Sequence, residues 1–322
     1  MKKILFAIGV IAIIGLGVYA LSNISQKTNT ASGNISIVTT LFPQYDFAKA
    51  IGGDKVDVSL LLPPGVEAHA YEPKPSDITK INNANIFVYT GELMEPWAHD
   101  IIEGADKKVK VVDASTNIEM MKEEHEHEEE ADHHEAEKEH GHEHGGVDPH
   151  IWLDFDNAKI MAENIAKALI EVDSQNADYY QNNLQAYQKK LTELDNAYKN
   201  TLSACKSKSI VYGGHYAFGY MAKRYGLEYV AAQGFSPDAE PSAKDMIALT
   251  GQIKKDNISY VFYEELTSSK IAETLARETN AKLLLLNGAH NLAKEDYESG
   301  ATFISLMESN LKNLSLGLGC KQ

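Results

Sequence analysis

Four histidines of this 322-residue chain stand in loops that follow predicted strands. His69 lies in LLPPGVEAHAYEPKPSD, His150 in VDPHIWLD, His215 directly after SIVYGG, and His290 in GAHN after a run of leucines. Neutral imidazole nitrogens are favoured ligands of Zn²⁺, which takes four nitrogen or sulfur ligands in a tetrahedron. Cu²⁺, Ni²⁺ and Co²⁺ also accept imidazole, whereas Mn²⁺ and Mg²⁺ prefer carboxylates. The residue types therefore predict a site for a nitrogen-preferring divalent metal.

Two aspartates close to His150 are candidate supporting residues. A ligating histidine usually donates its second ring N–H to a carboxylate or a carbonyl. Asp148 and Asp154 flank His150 and could accept that hydrogen bond. Capping of the next helix by Asp154 or Asp156 is an equal alternative, because aspartate is a common residue at a helix N-terminus.

A second concentration of histidine is the acidic segment 122–146. It holds eleven Asp or Glu residues against two Lys, and its only aliphatic residues are alanines, so it cannot bury enough surface to fold. We interpret it as a mobile loop with weak, accessory metal sites, because ordering a flexible chain costs free energy that the metal must repay. A solvated run without a selected function is the alternative. Its histidines are His125, His127, His133, His134, His140, His142 and His144.

Short apolar runs of β type alternate with helical patterns on both sides of a long central helix. The predicted strands are 35–40, 56–62, 85–90, 108–113, 209–214, 227–232, 258–265 and 281–287. Such alternation is typical of parallel sheets built from βα units, so the chain is predicted to be α/β with two lobes of roughly four strands each. Ligands of open α/β sheets bind at the carboxyl ends of strands, and two of the four histidines come from each lobe. One cleft shared by the lobes is therefore the predicted site.

Helices are predicted between the strands. They begin at about Tyr45, Ser76, Pro96, Ser242, Ser268 and Asp296, and another runs through Met221. In the middle of the chain one apolar stripe recurs every three or four residues, at Tyr180, Leu184, Tyr187, Leu191, Leu194, Tyr198 and Leu202. About 26 residues at roughly 1.5 Å each span near 40 Å, which predicts a stiff helix that joins the lobes. An ordinary amphipathic surface helix is the alternative. The expected division is an N-terminal segment 1–33, a lobe 34–155, linking helices 156–205 and a second lobe 206–322.

The N-terminal segment has the pattern of an export signal. Two lysines precede an apolar run at residues 4–21, which is cleaved after export or remains as a membrane anchor. No cysteine lies near the end of this run, so no lipoprotein anchor is expected. Cys205 and Cys320 are an even pair that predicts a disulfide in an oxidising compartment, two unpaired side chains being the alternative. The net charge of −16 argues against nucleic acid as a partner.

Five motifs of the chain carry a family resemblance: PGVEAHAYEPKPSD, DPHIWLD, GGHYAFGYMAKRYGL, FSPDAEPSAKDM and FYEELTSSKIAETLARETNAK. Together they resemble the zinc-uptake (ZnuA-type) solute-binding proteins of ABC transporters, and the likeness runs from about Ile35 to the C-terminus. The resemblance implies two α/β lobes joined by a rigid long helix, with one metal held in the cleft and passed to a membrane permease. The ligands of the family correspond to His69, His150 and His215.

The fourth ligand position departs from many members of that family. They carry Asp or Glu there, whereas the corresponding residue here is His290, which favours zinc over manganese; Glu264 or Glu265 is an alternative ligand. We therefore expect a monomeric, exported, high-affinity Zn²⁺-binding protein without catalysis, located in the periplasm or at the outer face of the cytoplasmic membrane. The alternatives are a protein of the same family for manganese or another divalent metal, a metal-dependent surface adhesin, and a zinc hydrolase, whose metal would keep an open coordination position.

Overall fold

Two four-stranded parallel sheets form the framework of the protein. The computed structural model describes residues 34–122, 146–235 and 240–321. The first sheet contains β1 (Ile35–Thr39), β2 (Val56–Leu60), β3 (Ile86–Tyr89) and β4 (Lys110–Asp113). The second contains β5 (Ser209–Tyr212), β6 (Glu228–Ala231), β7 (Tyr260–Tyr263) and β8 (Lys282–Leu285). All predicted strands are present with shorter bounds, and the predicted two-lobed α/β class is confirmed.

The two sheets have the same topology. Their strand orders are β2-β1-β3-β4 and β6-β5-β7-β8, and all strand pairs are parallel. Parallel strands buried on both faces read as continuous apolar runs, and all four residues of β3 are buried. Because every strand of a sheet runs the same way, the loops after the strands emerge at one edge of each sheet.

Ten helices of the described residues surround these sheets. They are α1 (Phe42–Gly52), α2 (Pro75–Asn83), α3 (Ala98–Gly104), α4 (Phe155–Val172), α5 (Ala177–Ser203), α6 (Gly219–Tyr225), α7 (Ala243–Lys255), α8 (Lys270–Thr279), α9 (Lys294–Glu298) and α10 (Phe303–Gly317). The prediction of a single, long last helix from about Asp296 was wrong, because two separate helices, α9 and α10, are present there. Gly300 has a left-handed φ of 77° between them, and the side chain of Thr302 caps α10 by accepting a hydrogen bond from Ser305 N.

The long helix α5 joins the lobes as predicted. It is 27 residues long, and all seven residues of its predicted apolar stripe are buried. It packs against α1 from the first lobe and against α6 and α10 from the second. The limits of the lobes at residues 155 and 205 stay a prediction.

A continuous apolar core also crosses between the lobes. Phe47 on α1 packs against Phe303 on α10, with ring centroids 5.2 Å apart, and against Tyr187 on α5 at 5.5 Å. Next to these rings, the buried carboxylate of Asp46 accepts hydrogen bonds from Tyr187 Oη and from Phe303 N. Residues of both lobes belong to this one cluster, so the lobes are packed together and not merely tethered.

A disulfide joins Cys205, at the end of α5, to Cys320 near the C-terminus.

The described part of the chain has no helix with the length and apolarity that a bilayer crossing requires. The predicted export signal or anchor at residues 4–21 lies outside the described residues.

Candidate metal centre

The four candidate histidines lie at the edges of the sheets where the strands end. His69 stands in the loop after β2, and His150 follows β4 and immediately precedes a short 3₁₀ turn at Ile151–Leu153. His215 comes three residues after β5, and His290 follows β8. His150, His215 and His290 are fully buried, and His69 is partly buried. Residues that are far apart in the sequence are therefore neighbours in the cleft between the two lobes.

Three of these histidines form a tight cluster. Ring nitrogens of His69, His150 and His215 all lie within 4.8 Å of one another. His69 Nε2 is 3.3 Å from His150 Nε2, and His215 Nε2 is 3.2 Å from the same atom. Among the described residues this is the one group of three or more such side chains whose ligand atoms converge in this way.

Carboxylates fix the orientation of two of the rings. Asp148 Oδ1 lies 2.8 Å from His150 Nδ1 and also accepts a hydrogen bond from His150 N. Glu264 Oε1 lies 2.8 Å from His215 Nδ1. A carboxylate is an acceptor, so a proton on Nδ1 of either ring faces the carboxylate and leaves the lone pair on Nε2. The Nε2 atoms of His150 and His215 therefore face each other as two acceptors.

The rings of His69, His150 and His290 are neutral at physiological pH. Burial lowers the pKa of His150 and of His69 well below 6.5, and repulsion from the neighbouring imidazoles lowers both further. Burial lowers the pKa of His290 to about 4, although the carboxylate of Glu264 acts in the opposite direction. A metal ligand must be unprotonated, so these side chains need no proton removed at pH 7 before they bind a cation.

His290 lies at the margin of the cluster. Its ring centroid is 5.6 Å from that of His215 and 6.2 Å from that of His69. Its Nε2 atom is 3.8 Å from Glu264 Oε1, and neither of its ring nitrogens has a hydrogen-bond partner among the described residues. A fully buried imidazole with both nitrogens unpaired is costly unless another partner is provided.

The two glutamates proposed as alternative ligands have different environments. Burial would raise the pKa of Glu264, but its contacts with His215 and His290 outweigh burial and lower that pKa, so this side chain is ionised. Burial and the Glu264 carboxylate together raise the pKa of Glu265 to about 8. Glu265 receives a hydrogen bond from Gly288 N, 3.2 Å from both of its oxygens. At pH 7 Glu265 is therefore largely protonated and a poor metal ligand.

Of the two aspartates that flank His150, only Asp148 contacts its ring. Asp154 is the N-cap of α4, and its side chain accepts hydrogen bonds from Asp156 N and Asn157 N. The capping alternative is therefore the correct one for Asp154. It also pairs with Arg224 of α6, whose guanidinium reaches Asp156 and the buried Asp195 of α5 as well. This ion-pair network fixes the start of α4 against the second lobe.

Two residues at the cleft were not singled out from the sequence. Trp152 donates a hydrogen bond from Nε1 to Gly288 O at 2.7 Å, and Asn291 donates to two carbonyl groups of the loop that holds His69. Trp152 is part of the DPHIWLD motif, but nothing in a single sequence indicates its partner. The seven histidines of the acidic loop lie outside the described residues.

Two lobes around a buried cluster of histidines define a metal-binding protein of the solute-binding class. Residues 37–317 match the family described as Zinc-uptake complex component A periplasmic, ZnuA. The chain belongs to this family. It is 41% identical over 311 residues to the high-affinity zinc uptake system protein ZnuA of Bacillus subtilis, and the match covers 95% of both chains. It is 40% identical to the zinc-binding lipoprotein AdcA of Streptococcus pneumoniae, of which it spans only 60%.

Solved structures share the fold. The Zn(II)-bound ZnuA-like domain of Streptococcus pneumoniae AdcA superimposes with a TM-score of 0.74 at 38% identity, covering 89% of this chain and 99% of that domain. The laminin-binding protein Lmb of Streptococcus agalactiae, described as bifunctional with adhesin and metal-transporting activity, gives 0.77 at 29% identity and covers 88% and 100%. The predicted membership of the zinc-uptake solute-binding family is thereby confirmed.

Proposed function

We propose that this protein captures one Zn²⁺ ion in the cleft with His69, His150, His215 and His290 and delivers it to the permease of an ABC importer. The spacing of the Nε2 atoms is the observation that carries the proposal. Ligand nitrogens about 2.0–2.1 Å from a tetrahedral zinc are about 3.3 Å from one another. The distances from His150 Nε2 to His69 Nε2 and His215 Nε2 are 3.3 Å and 3.2 Å.

His290 is the fourth ligand in this proposal. It is fully buried beside His215, and its ring nitrogens have no hydrogen-bond partner among the described residues. Glu264 is engaged with Nδ1 of His215, and the raised pKa of Glu265 leaves its carboxyl protonated. A shell of four neutral nitrogens favours Zn²⁺ and disfavours Mn²⁺, which prefers oxygen ligands.

Binding without catalysis follows from a closed coordination shell. Catalytic zinc keeps one position for water, which the fourth histidine takes in this site. The names of the relatives support export, a place in the periplasm or at the outer face of the membrane, and a role in zinc uptake. A monomer that hands zinc to a permease is part of the same proposal. Weak accessory binding by the acidic loop is part of the same proposal.

A zinc titration against a competing chelator tests the location of the site. The test protein lacks residues 123–145; this deletion joins neighbouring positions, because Lys122 and Val147 pair as an antiparallel bridge. One tight site should survive the deletion and be lost when His150→Ala is added. Loss of all tight binding in the deletion variant alone would place the site in the loop and refute the proposal.

Surface adhesion is a second candidate, because Lmb has the same fold and is described as an adhesin. A laminin-binding assay with the wild type and His150→Ala distinguishes the two functions. Laminin binding that persists in the variant would be adhesion independent of the metal site, and binding by the wild type that is lost in the variant would be metal-dependent adhesion. Absence of laminin binding in both proteins would leave zinc capture as the function.

A further inference from the structure

A short segment of the second lobe makes hydrogen bonds across the cleft. We call residues 288–292, which include the candidate ligand His290, the strap. Its carbonyl groups accept hydrogen bonds from Trp152 Nε1 to Gly288 O at 2.7 Å, from Phe42 N to His290 O at 3.1 Å, and from Gly65 N to Leu292 O at 2.7 Å. Each donor belongs to the part of the chain before α4. The strap thus contacts the first lobe directly and independently of α5.

Asn291 makes the side-chain contacts of the strap. It is fully buried, and its Nδ2 donates to Pro63 O at 2.8 Å and to Val66 O at 2.7 Å. Its Oδ1 accepts a hydrogen bond from Leu292 N at 2.8 Å. The carboxamide therefore uses both amide protons on the loop that carries His69 and uses its oxygen on the strap itself. A side chain with this pattern fixes the distance between two backbone segments.

The backbone next to His290 is held in a conformation that it would not adopt by itself. Ala289 has a φ of 57°, in the left-handed region that residues with a Cβ atom rarely occupy. Ala289 N donates to Asn287 Oδ1 at 2.8 Å, and Gly288 O is bonded to Trp152. Residues in such regions persist where the surroundings over-determine the backbone. The orientation of His290 thus depends on the contacts that the strap makes.

We propose that Asn291 is a positioning residue that links the loop of His69 to the strap of His290, so that these two ligands keep their spacing as one unit. The proposal rests on the zinc-binding function inferred above. It follows that the lobes cannot separate at the cleft without breaking the Asn291 contacts. His215 lies beside Glu264, which orients it instead. The effect of an Asn291 substitution on zinc affinity should therefore depend on whether His69 is present and not on whether His215 is present.

A double-mutant cycle tests this coupling. Zinc dissociation constants are measured by chelator competition on the full chain for Asn291→Ala, His69→Ala, His215→Ala and the two double variants. Asn291→Ala alone should weaken binding about 10–100-fold, the loss typical of residues that orient ligands. In the Asn291→Ala background, the loss of zinc affinity caused by His69→Ala should be at least about fivefold smaller than in the wild type. The loss caused by His215→Ala should differ by no more than about twofold between the two backgrounds.

Asn164→Ala is the matched control. Asn164 also donates Nδ2 to two backbone carbonyls, Ala114 O at 3.1 Å and Thr116 O at 2.9 Å, but neither carbonyl belongs to the loop of His69 or to the strap. The zinc affinity of the Asn164→Ala variant should equal that of the wild type within about twofold. The role of Asn291 would be overturned if the fold losses of zinc affinity from Asn291→Ala and His69→Ala simply multiply in the double variant. It would also be overturned if Asn291→Ala were coupled as strongly to His215→Ala. A wild type without tight zinc binding would instead refute the function itself.

Hydrogen exchange on the wild type provides a test that needs no folded variant. The amides of Gly65 and Phe42 donate to strap carbonyls and should be protected, and saturating zinc should increase their protection further. Fast exchange of the Gly65 amide that zinc does not alter would contradict the strap contacts.

Asn291→Asp keeps the Oδ1 acceptor but places a carboxylate oxygen against the two carbonyls, so it should lower zinc affinity in the same direction as Asn291→Ala.

Discussion

The Nε2 atoms of His150 and His215 lie 3.2 Å apart, and each ring has a carboxylate at Nδ1, Asp148 for His150 and Glu264 for His215. With the proton of each ring on Nδ1, beside its carboxylate, the facing nitrogens are two acceptors with no proton to share. A cation between them replaces repulsion by attraction. The two carboxylates thus determine which atoms of the cleft are available to a metal.

Removal of the negative charge at Asp148 should weaken zinc binding. In Asp148→Asn the carboxamide no longer enforces the proton on Nδ1 of His150, so part of the population presents the wrong tautomer. We expect a loss of about 10–100-fold in zinc affinity, measured by chelator competition at pH 7.5. Asp113→Asn, at the end of β4, is the control and should bind zinc as the wild type does. Unchanged affinity of Asp148→Asn would show that this carboxylate does not orient the ligand.

Glu264 and Glu265 should respond differently to the same substitution. Glu264→Gln loses the ionised partner of His215 and should lower zinc affinity about 10–100-fold. Glu265 has a pKa raised to about 8 by burial and by Glu264, so glutamine resembles its protonated form and Glu265→Gln should bind nearly normally. The visible absorption of bound Co²⁺ distinguishes a lost ligand from a lost support. Its band should move in His290→Ala and stay in place in Glu264→Gln; the reverse pattern would make Glu264 the fourth ligand.

Glu95 should make the stability of the fold depend on pH. This carboxyl is 2% exposed, and its partners are the hydroxyls of Thr40 and Thr90 and the amide of Thr90; in the described part of the chain no cation contacts it. Burial raises its pKa from 4.5 to about 7, although these hydrogen bonds act in the opposite direction. For a carboxyl with a raised folded pKa, stability is fully present below pH 4.5 and is lost as the pH rises to 7. This change in pKa corresponds to a loss of about 3 kcal/mol in the free energy of unfolding.

The comparison with Glu95→Gln isolates this contribution from those of the histidines. Urea unfolding of both proteins between pH 4.5 and pH 8 should show the variant gaining stability relative to the wild type as the pH rises. Glu72→Gln, at an exposed position, is the control and should show a constant difference. A difference for Glu95→Gln that does not vary with pH would mean that this carboxyl is ionised throughout.

The disulfide should support the fold and not the site. Cys205 and Cys320 are 115 residues apart. A cross-link that closes a loop of this size lowers the entropy of the unfolded chain, which raises the free energy of unfolding by up to about 5 kcal/mol. The double variant Cys205→Ser/Cys320→Ser should therefore lose about 2–5 kcal/mol of unfolding free energy in the absence of zinc. Its zinc affinity in native buffer should match that of the wild type. A large loss of affinity would show that the C-terminal attachment also positions the cleft.

The sequence by itself determined the elements and the candidate ligands. Apolar runs separated by helical patterns predicted every strand, and the seven-residue stripe predicted the buried face of α5, because these signals are local and periodic. The histidines could be grouped because parallel strands bring their carboxyl ends to one edge. Local signals were insufficient at α9 and α10, where Gly300 and the Thr302 cap divide what reads as one helix.

Only the tertiary structure decided which side chains support those ligands. From the sequence Glu264 was an alternative ligand only, and its contact with Nδ1 of His215 exists because β5 and β7 are neighbours in the second sheet. The link between Asn291 and the loop of His69 spans more than 220 residues and two lobes. Such contacts arise from packing between distant segments, which leaves no periodic trace in one chain, whereas the strands and helices follow from the alternation of residues along it.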